Sequence, residues 1–261
     1  MKARESIDNK ITNTLQSFLG AHKNNYFIIG GHAAAYNLSL QDLPFRKTKD
    51  FDIVIVSEAT SEDFCKDLVS LLISGGYKHS YKSSIKKRVA YRFESPANIG
   101  YPEIIEFFVR EGVHSQSLDN RFAKLDIVID DDKLSAMVLN QEIYEFALKH
   151  LVEINELMFV DKPCLIALKS YAYFENLKLF REGKVSSNSY KKHLRDILRI
   201  IGSMTEIDLK KINDLPIQLK ESMEKIIEEL TVSKQQFDSY LLSEDFIIET
   251  IKSLLGDVKT K

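Results

Sequence analysis

The chain is predicted to be an α/β protein in which a mixed β-sheet with flanking helices is followed by a helical region. Three observations lead there. Strand-like segments alternate with amphipathic helices up to about residue 140, helical periodicity prevails beyond it, and a Gly-Gly pair directly follows a short apolar strand. The 261 residues leave room for one large domain or two modest ones, at about 150 residues per domain. The expected division is 1–155 for the sheet domain and 156–261 for the helical domain.

Residues 5–20 carry Ile7, Ile11, Leu15 and Leu19 at four-residue spacing, a helix closed by Gly20. The apolar run 26–29 is a strand, and 32–38 reads as a helix opening straight after Gly30 and Gly31. Residues 49–56 alternate and are β-branched, a second strand. Helical period returns over 61–75, with Phe64, Leu68, Leu71 and Leu72 on one face. Further strands are expected at 77–81, 89–93, 104–109, 125–129 and 136–139. Beyond them 162–180 reads as a long helix, 181–189 as a polar loop, and 190–201, 215–230 and 245–255 as helices.

Composition narrows the function classes. Lys and Arg number 36 against 38 Asp and Glu, a net charge of -2 and a pI near 6.3. That balance argues against a histone-like polyanion binder, and no DNA sequence reader is expected. A hydrophobic share of 44% is too high for a disordered chain. Residues 1–10 lack the apolar core of a signal peptide, and no run approaches the roughly 18 apolar residues of a membrane span. Cys65 and Cys164 lie far apart in apolar-periodic segments and read as buried reduced thiols. A cytoplasmic protein with no membrane partner is the expectation.

Chemistry concentrates in Gly30-Gly31 and in the stretch Arg46-Lys47-Thr48-Lys49-Asp50-Phe51-Asp52. Asp50 and Asp52 are one residue apart on a strand, so both carboxylates project from one face. They repel each other unless a cation intervenes, and hard oxygen ligands of this kind suit Mg²⁺. A glycine pair at a strand-to-helix turn lets backbone N–H groups approach an anion beside the helix N-terminus. A metal-binding strand some twenty residues after a phosphate cradle describes phosphoryl or nucleotidyl transfer. No Walker A or kinase glycine loop occurs, which disfavours a kinase-like phosphotransferase.

These residues resemble the nucleotidyltransferase superfamily that shares the DNA polymerase β-like fold. Its signature is Gly-Gly, an acid-x-acid strand, and a third acid on a later strand. Within it, GGHAAAYNL and RKTKDFDIVI resemble the abortive-infection (AbiEii/AbiGii-type) nucleotidyltransferases. PCLIALK at 163–169 and YKKHLRDI at 190–197 resemble two helices of that group, so the likeness spans roughly residues 26–201. It implies a nucleotidyltransferase-type mixed sheet and Mg²⁺-dependent transfer of NMP from an NTP to a hydroxyl-bearing acceptor. The acceptor could be tRNA, a protein side chain or a small molecule, and some members are toxins paired with an antitoxin.

The third acid that the resemblance calls for is Glu106 or Asp126, unless 104–109 is an edge strand in which neither acts. Glu106 lies inside an otherwise apolar strand, where an ionised carboxylate is costly unless paired or metal-bound. Glu103 is odd-spaced from it and should face the other way. The resemblance implies two Mg²⁺ ions held by Asp50, Asp52 and Glu106, with Glu106 also able to accept a proton. It further implies nucleotide contacts from Gly30, Gly31, Arg46, Thr48, Lys169, Lys192 and Asp196. Taken alone, Lys169 could snorkel to solvent, Lys192 and Asp196 could be an i,i+4 surface pair, and Arg46 and Thr48 could serve a turn. His193 reads as cleft-lining or structural. His22, His79, His114 and His150 show no metal spacing. The run 78–88, five Lys or Arg with tyrosines nearby, could form a hairpin tip that grips a polyanion. Glu106 in place of the superfamily's usual Asp keeps a second reading open, a catalytically silent nucleotide-binding protein of the same fold.

Overall fold

The computed structural model describes residues 8–79, 91–111, 122–129, 132–232 and 242–256, with His79, 122–129, 132–138 and Val232 described by backbone alone. The strands are β1 (Tyr26–Ile29), β2 (Asp50–Ile55), β3 (Lys78–His79), β4 (Arg92–Glu94), β5 (Ile104–Arg110), β6 (Phe122–Ile129), β7 (Asp132–Leu139), β8 (Leu151–Ile154) and β9 (Leu157–Val160). The helices are α1 (Asn9–Leu19), α2 (Gly30–Ser39), α3 (Glu62–Gly75), α4 (Gln141–Leu148), α5 (Lys162–Arg181), α6 (Ser187–Ile201), α7 (Ile217–Val232) and α8 (Glu244–Leu255).

Alternation along β2 explains the centre of the sheet. Phe51, Ile53 and Ile55 are buried on one face, while Asp50 and Asp52 stay half-buried on the other. β2 pairs antiparallel with β1, where Ile29 stands opposite Asp52, and parallel with β5, where Glu106 stands opposite Asp52. The strand order is β3-β4-β5-β2-β1-β9-β8, a mixed sheet. β4 pairs with the first half of β5 and β7 with its end, and β6 attaches only to β7.

The sequence reading after residue 140 is corrected by the hairpin β8–β9. β9 joins the sheet through a parallel pairing of Phe159 with Ile28. The expected domain boundary at 155/156 falls at the tip of this hairpin. Asn155 and Glu156 both take positive φ, 51° and 59°, as a two-residue turn matched to strand twist requires. The signal was hidden because Glu stands where glycine commonly marks such turns, and each strand has only four residues. β3 begins at Lys78 within the expected strand 77–81, whose residues 80 and 81 lie outside the described set.

Helix starts follow their caps. Asp8, Ser61, Asn140, Asp161 and Ser243 each accept a backbone N–H at the openings of α1, α3, α4, α5 and α8. α2 differs: its N-cap is Ile29, which offers no side-chain acceptor. The core runs from the sheet into the helical region without a break, from Phe27, Ile53 and Phe107 to Ile166, Ile197, Met223 and Ile251. No helix among the described residues is long and apolar enough to cross a membrane. The two cysteines are free, Cys164 buried and Cys65 partly so.

Phe107 is fully buried on β5, on the face opposite Glu106, and meets Phe93 edge to face at 5.7 Å. Phe107→Ala is expected to lower unfolding free energy by about 3–5 kcal/mol in urea titration. A loss below about 1 kcal/mol would contradict this packing.

Candidate active site

Two cross-strand rows build the site. Asp52 on β2, Glu106 on β5 and Arg92 on β4 form one row, and Asp50, Ile104 and Glu94 form the next. All six share one face, because each strand shifts by two residues between the rows. The face therefore gathers four carboxylates and one guanidinium. Arg92 hydrogen-bonds Glu106 through Nη1, approaches Glu94 at 3.3 Å through Nε, and lies 3.6 Å from Asp50 through Nη2. Burial alone would lower the Arg92 proton affinity, but Glu106, Asp50 and Glu94 together raise it.

Asp52 carries the strain of this crowding. Burial, then the charges of Glu106 and Asp50, push its carboxyl well above the ordinary range, against a smaller opposing pull from Lys169 and Lys192. The glycine pair adds a wall. Gly30 has φ of +76°, and a Cβ there would lie 2.0 Å from Asp52 Oδ2. A Cβ on Gly31 would lie 2.4 Å from Thr48 Oγ1. Only glycine at both positions lets the uncapped start of α2 sit against the acid strand and its leading Thr48.

The helical region contributes a second charge group. Asp196 on α6 is fully buried and accepts Arg46 Nε and Nη2 in a fork, both at 2.8 Å, and Lys169 Nζ at 2.8 Å. Arg199 stands 3.9 Å away, and Arg46, Lys169 and Arg199 all lie within 6 Å of the Phe45 ring. Burial would raise the Asp196 carboxyl, yet Lys169 and Arg46 hold it below the usual range. Lys169 is buried rather than snorkelling, and Asp196 turns inward to Arg46 and Lys169. Lys192 acts electrostatically on Asp52 and His193.

Two histidines line the same region in neutral form. His32 stacks on Phe51 at 3.6 Å, and burial followed by Arg46 pushes it down to about 3. His193 is pushed down to about 3 by burial, then Lys169 and Lys192. Its Nε2 lies 3.4 Å from the Asn176 amide, and its buried Nδ1 has no hydrogen-bond partner.

Of the sequence-predicted residues, Asp50, Asp52 and Glu106 share one face, Gly30, Gly31 and Thr48 border it, and Arg46, Lys169 and Asp196 form one ion cluster. Glu103, at the entrance to β5, pairs with Lys49 instead. The Asp126 side chain lies outside the described residues, while the backbone of β6 is separated from β2 by β7 and β5. The basic run falls mostly on residues 80–90, which also lie outside them. Arg92 was missed, although its place between Tyr91 and Phe93 in an alternating strand marks it for the polar face.

Among the described residues no group of three or more His, Cys, Asp or Glu is gathered for a metal ion. The donor set nevertheless suits Mg²⁺: hard carboxylate oxygens on one face, with Asp52 short of positive charge. The chain matches no protein-family profile, no curated protein and no solved structure.

Asp52 and Asp196 should respond oppositely to neutralisation. Asp52 binds its proton more tightly folded than unfolded, so its ionisation costs stability once pH exceeds the unfolded value of about 4, up to its raised folded value. In chelator at pH 7, Asp52→Asn is expected to raise the thermal midpoint, with the gain fading towards about pH 4. Asp196 is depressed on folding, so its contribution is present above about pH 4 and lost as pH falls through its folded value. Asp196→Asn is expected to cost about 3–5 kcal/mol at neutral pH. A destabilised Asp52→Asn under these conditions would contradict the charge crowding.

Proposed function

We propose that the chain is a Mg²⁺-dependent nucleotidyltransferase with a nucleotidyltransferase-type sheet, moving NMP from an NTP to a hydroxyl-bearing acceptor. The observation that carries this reading is the acid face of Asp50, Asp52 and Glu106 set against a glycine turn that admits no side chain. A cytoplasmic setting suits such a chemistry, with two unpaired thiols and a supply of NTP.

Asp50, Asp52 and Glu106 would hold two Mg²⁺ ions, which when bound neutralise triphosphate charge and lower the pKa of the acceptor hydroxyl. The backbone N–H groups of Gly30 and Gly31 bind β- and γ-phosphate oxygens at the open end of α2, with Thr48 bracing the turn. Lys169 and Lys192 bring positive charge from the helical side. Arg46 and Asp196 fix Lys169 in place, acting through it. Glu106 accepts the hydroxyl proton, the oxygen attacks the α-phosphorus in line, and the bond to the β-bridging oxygen breaks as pyrophosphate leaves with its electron pair. The acceptor is tRNA, protein or a small molecule, and a toxin restrained by an antitoxin partner fits the first two. A silent nucleotide-binding role is the second reading, drawn from the hold of Arg92 on Glu106.

Incubation with each α-³²P-labelled NTP, Mg²⁺ and separate RNA, protein and small-molecule fractions tests the proposal. Label is expected in one acceptor class and none with Asp50→Ala/Asp52→Ala. Absence of label from every fraction, with nucleotide binding unchanged in the double variant, would sink the catalytic reading.

A further inference from the structure

We propose that Arg92 is a built-in counter-cation of the acid face, and that a divalent ion must displace it from Glu106 to load the site. The inference rests on the metal-dependent reading above and adds a control on it. Arg92 engages Glu106 on β5, Glu94 on its own strand and Asp50 on β2, so a single guanidinium bridges three strands of acids. The side chain is about a quarter exposed and reaches these acids from β4, which lies between β3 and β5.

The chemistry of arginine makes this a competition rather than a passive contact. A guanidinium does not lose its proton in a protein, so Arg92 cannot vacate Glu106 by titration. It leaves only by moving, and Glu106 then needs another cation, since a bare carboxylate on this face adds to the repulsion at Asp52. Exchange of one positive charge for a divalent ion supplies it. Glu94 stays within reach of the displaced guanidinium, and a triphosphate oxygen offers it a second, forked partner. The resident arginine thus weakens binding of the free ion and favours loading of ion and nucleotide together.

Mn²⁺ binding to the full chain without nucleotide, followed by the electron paramagnetic resonance signal of the free ion, reads this directly. Arg92→Gln removes the competing charge and is expected to bind Mn²⁺ roughly fivefold or more tightly than wild type, the scale of a unit charge a few ångströms away. Arg92→Lys keeps the charge without the fork, and is expected to fall between the two. Should Arg92→Gln fail to fold, by far-ultraviolet circular dichroism, the lysine variant carries the comparison. Asp52→Asn should weaken Mn²⁺ in each background, which places the ion on the acid face. A structural role for Arg92 would loosen the site and weaken binding, the opposite sign. Equal or weaker binding by the Arg92 variants, with wild type still binding Mn²⁺, overturns this inference and leaves the proposed function standing. No Mn²⁺ binding by any variant or by wild type overturns both.

Discussion

Carboxylates on three adjacent strands cannot share one sheet face without cations, and the arrangement of the site follows from where those cations come from. Asp50, Asp52, Glu94 and Glu106 meet because β2 and β5 pair in parallel and β4 closes antiparallel on β5. Arg92 compensates from β4, Lys169 and Lys192 from the helical side, and Asp52 is left with the residual excess. Burying like charges in this way lowers stability, and that cost is the physical ground on which a ligand of opposite charge is proposed for this face.

Asp196 explains how the helical region takes part. It lies 150 residues from Arg46 in sequence, yet its carboxylate holds both Arg46, on the approach to the acid strand, and Lys169 on α5. A fully buried acid with paired cations on both sides ties the position of Lys169 to that of the strand. Breaking it leaves the buried Lys169 and the part-buried Arg46 without their counter-charge, so its removal is costly. Within the proposed site, Asp196 is therefore a positioning residue that acts through Lys169.

Much of this was legible in the sequence. Period-two spacing put Asp50 and Asp52 on one face, and the cost of a charge in an apolar strand singled out Glu106. Positions 30 and 31 were legible through their order and spacing before the acid strand, since a glycine pair alone marks an ordinary turn. What escaped depends on register and long-range contact. Nothing local says that Arg92 stands opposite Glu106, since β4 has three residues and its pairing is set by the whole sheet. The Lys192–Asp196 spacing suggested a surface pair, and only the fold brings Arg46 and Lys169 to Asp196 instead. The hairpin β8–β9 escaped because its turn is Asn155-Glu156, a sequence without glycine.

The central claim is that the acid face and the glycine turn form one metal–nucleotide site. Crystals grown with Mn²⁺ and a non-hydrolysable NTP analogue test it most directly, through the anomalous scattering of the ion. A peak is expected about 2.1 Å from carboxylate oxygens of Asp50 and Asp52, with the triphosphate against Gly30 and Gly31. Nucleotide bound elsewhere, or a peak on other residues with the acid face empty, would contradict it.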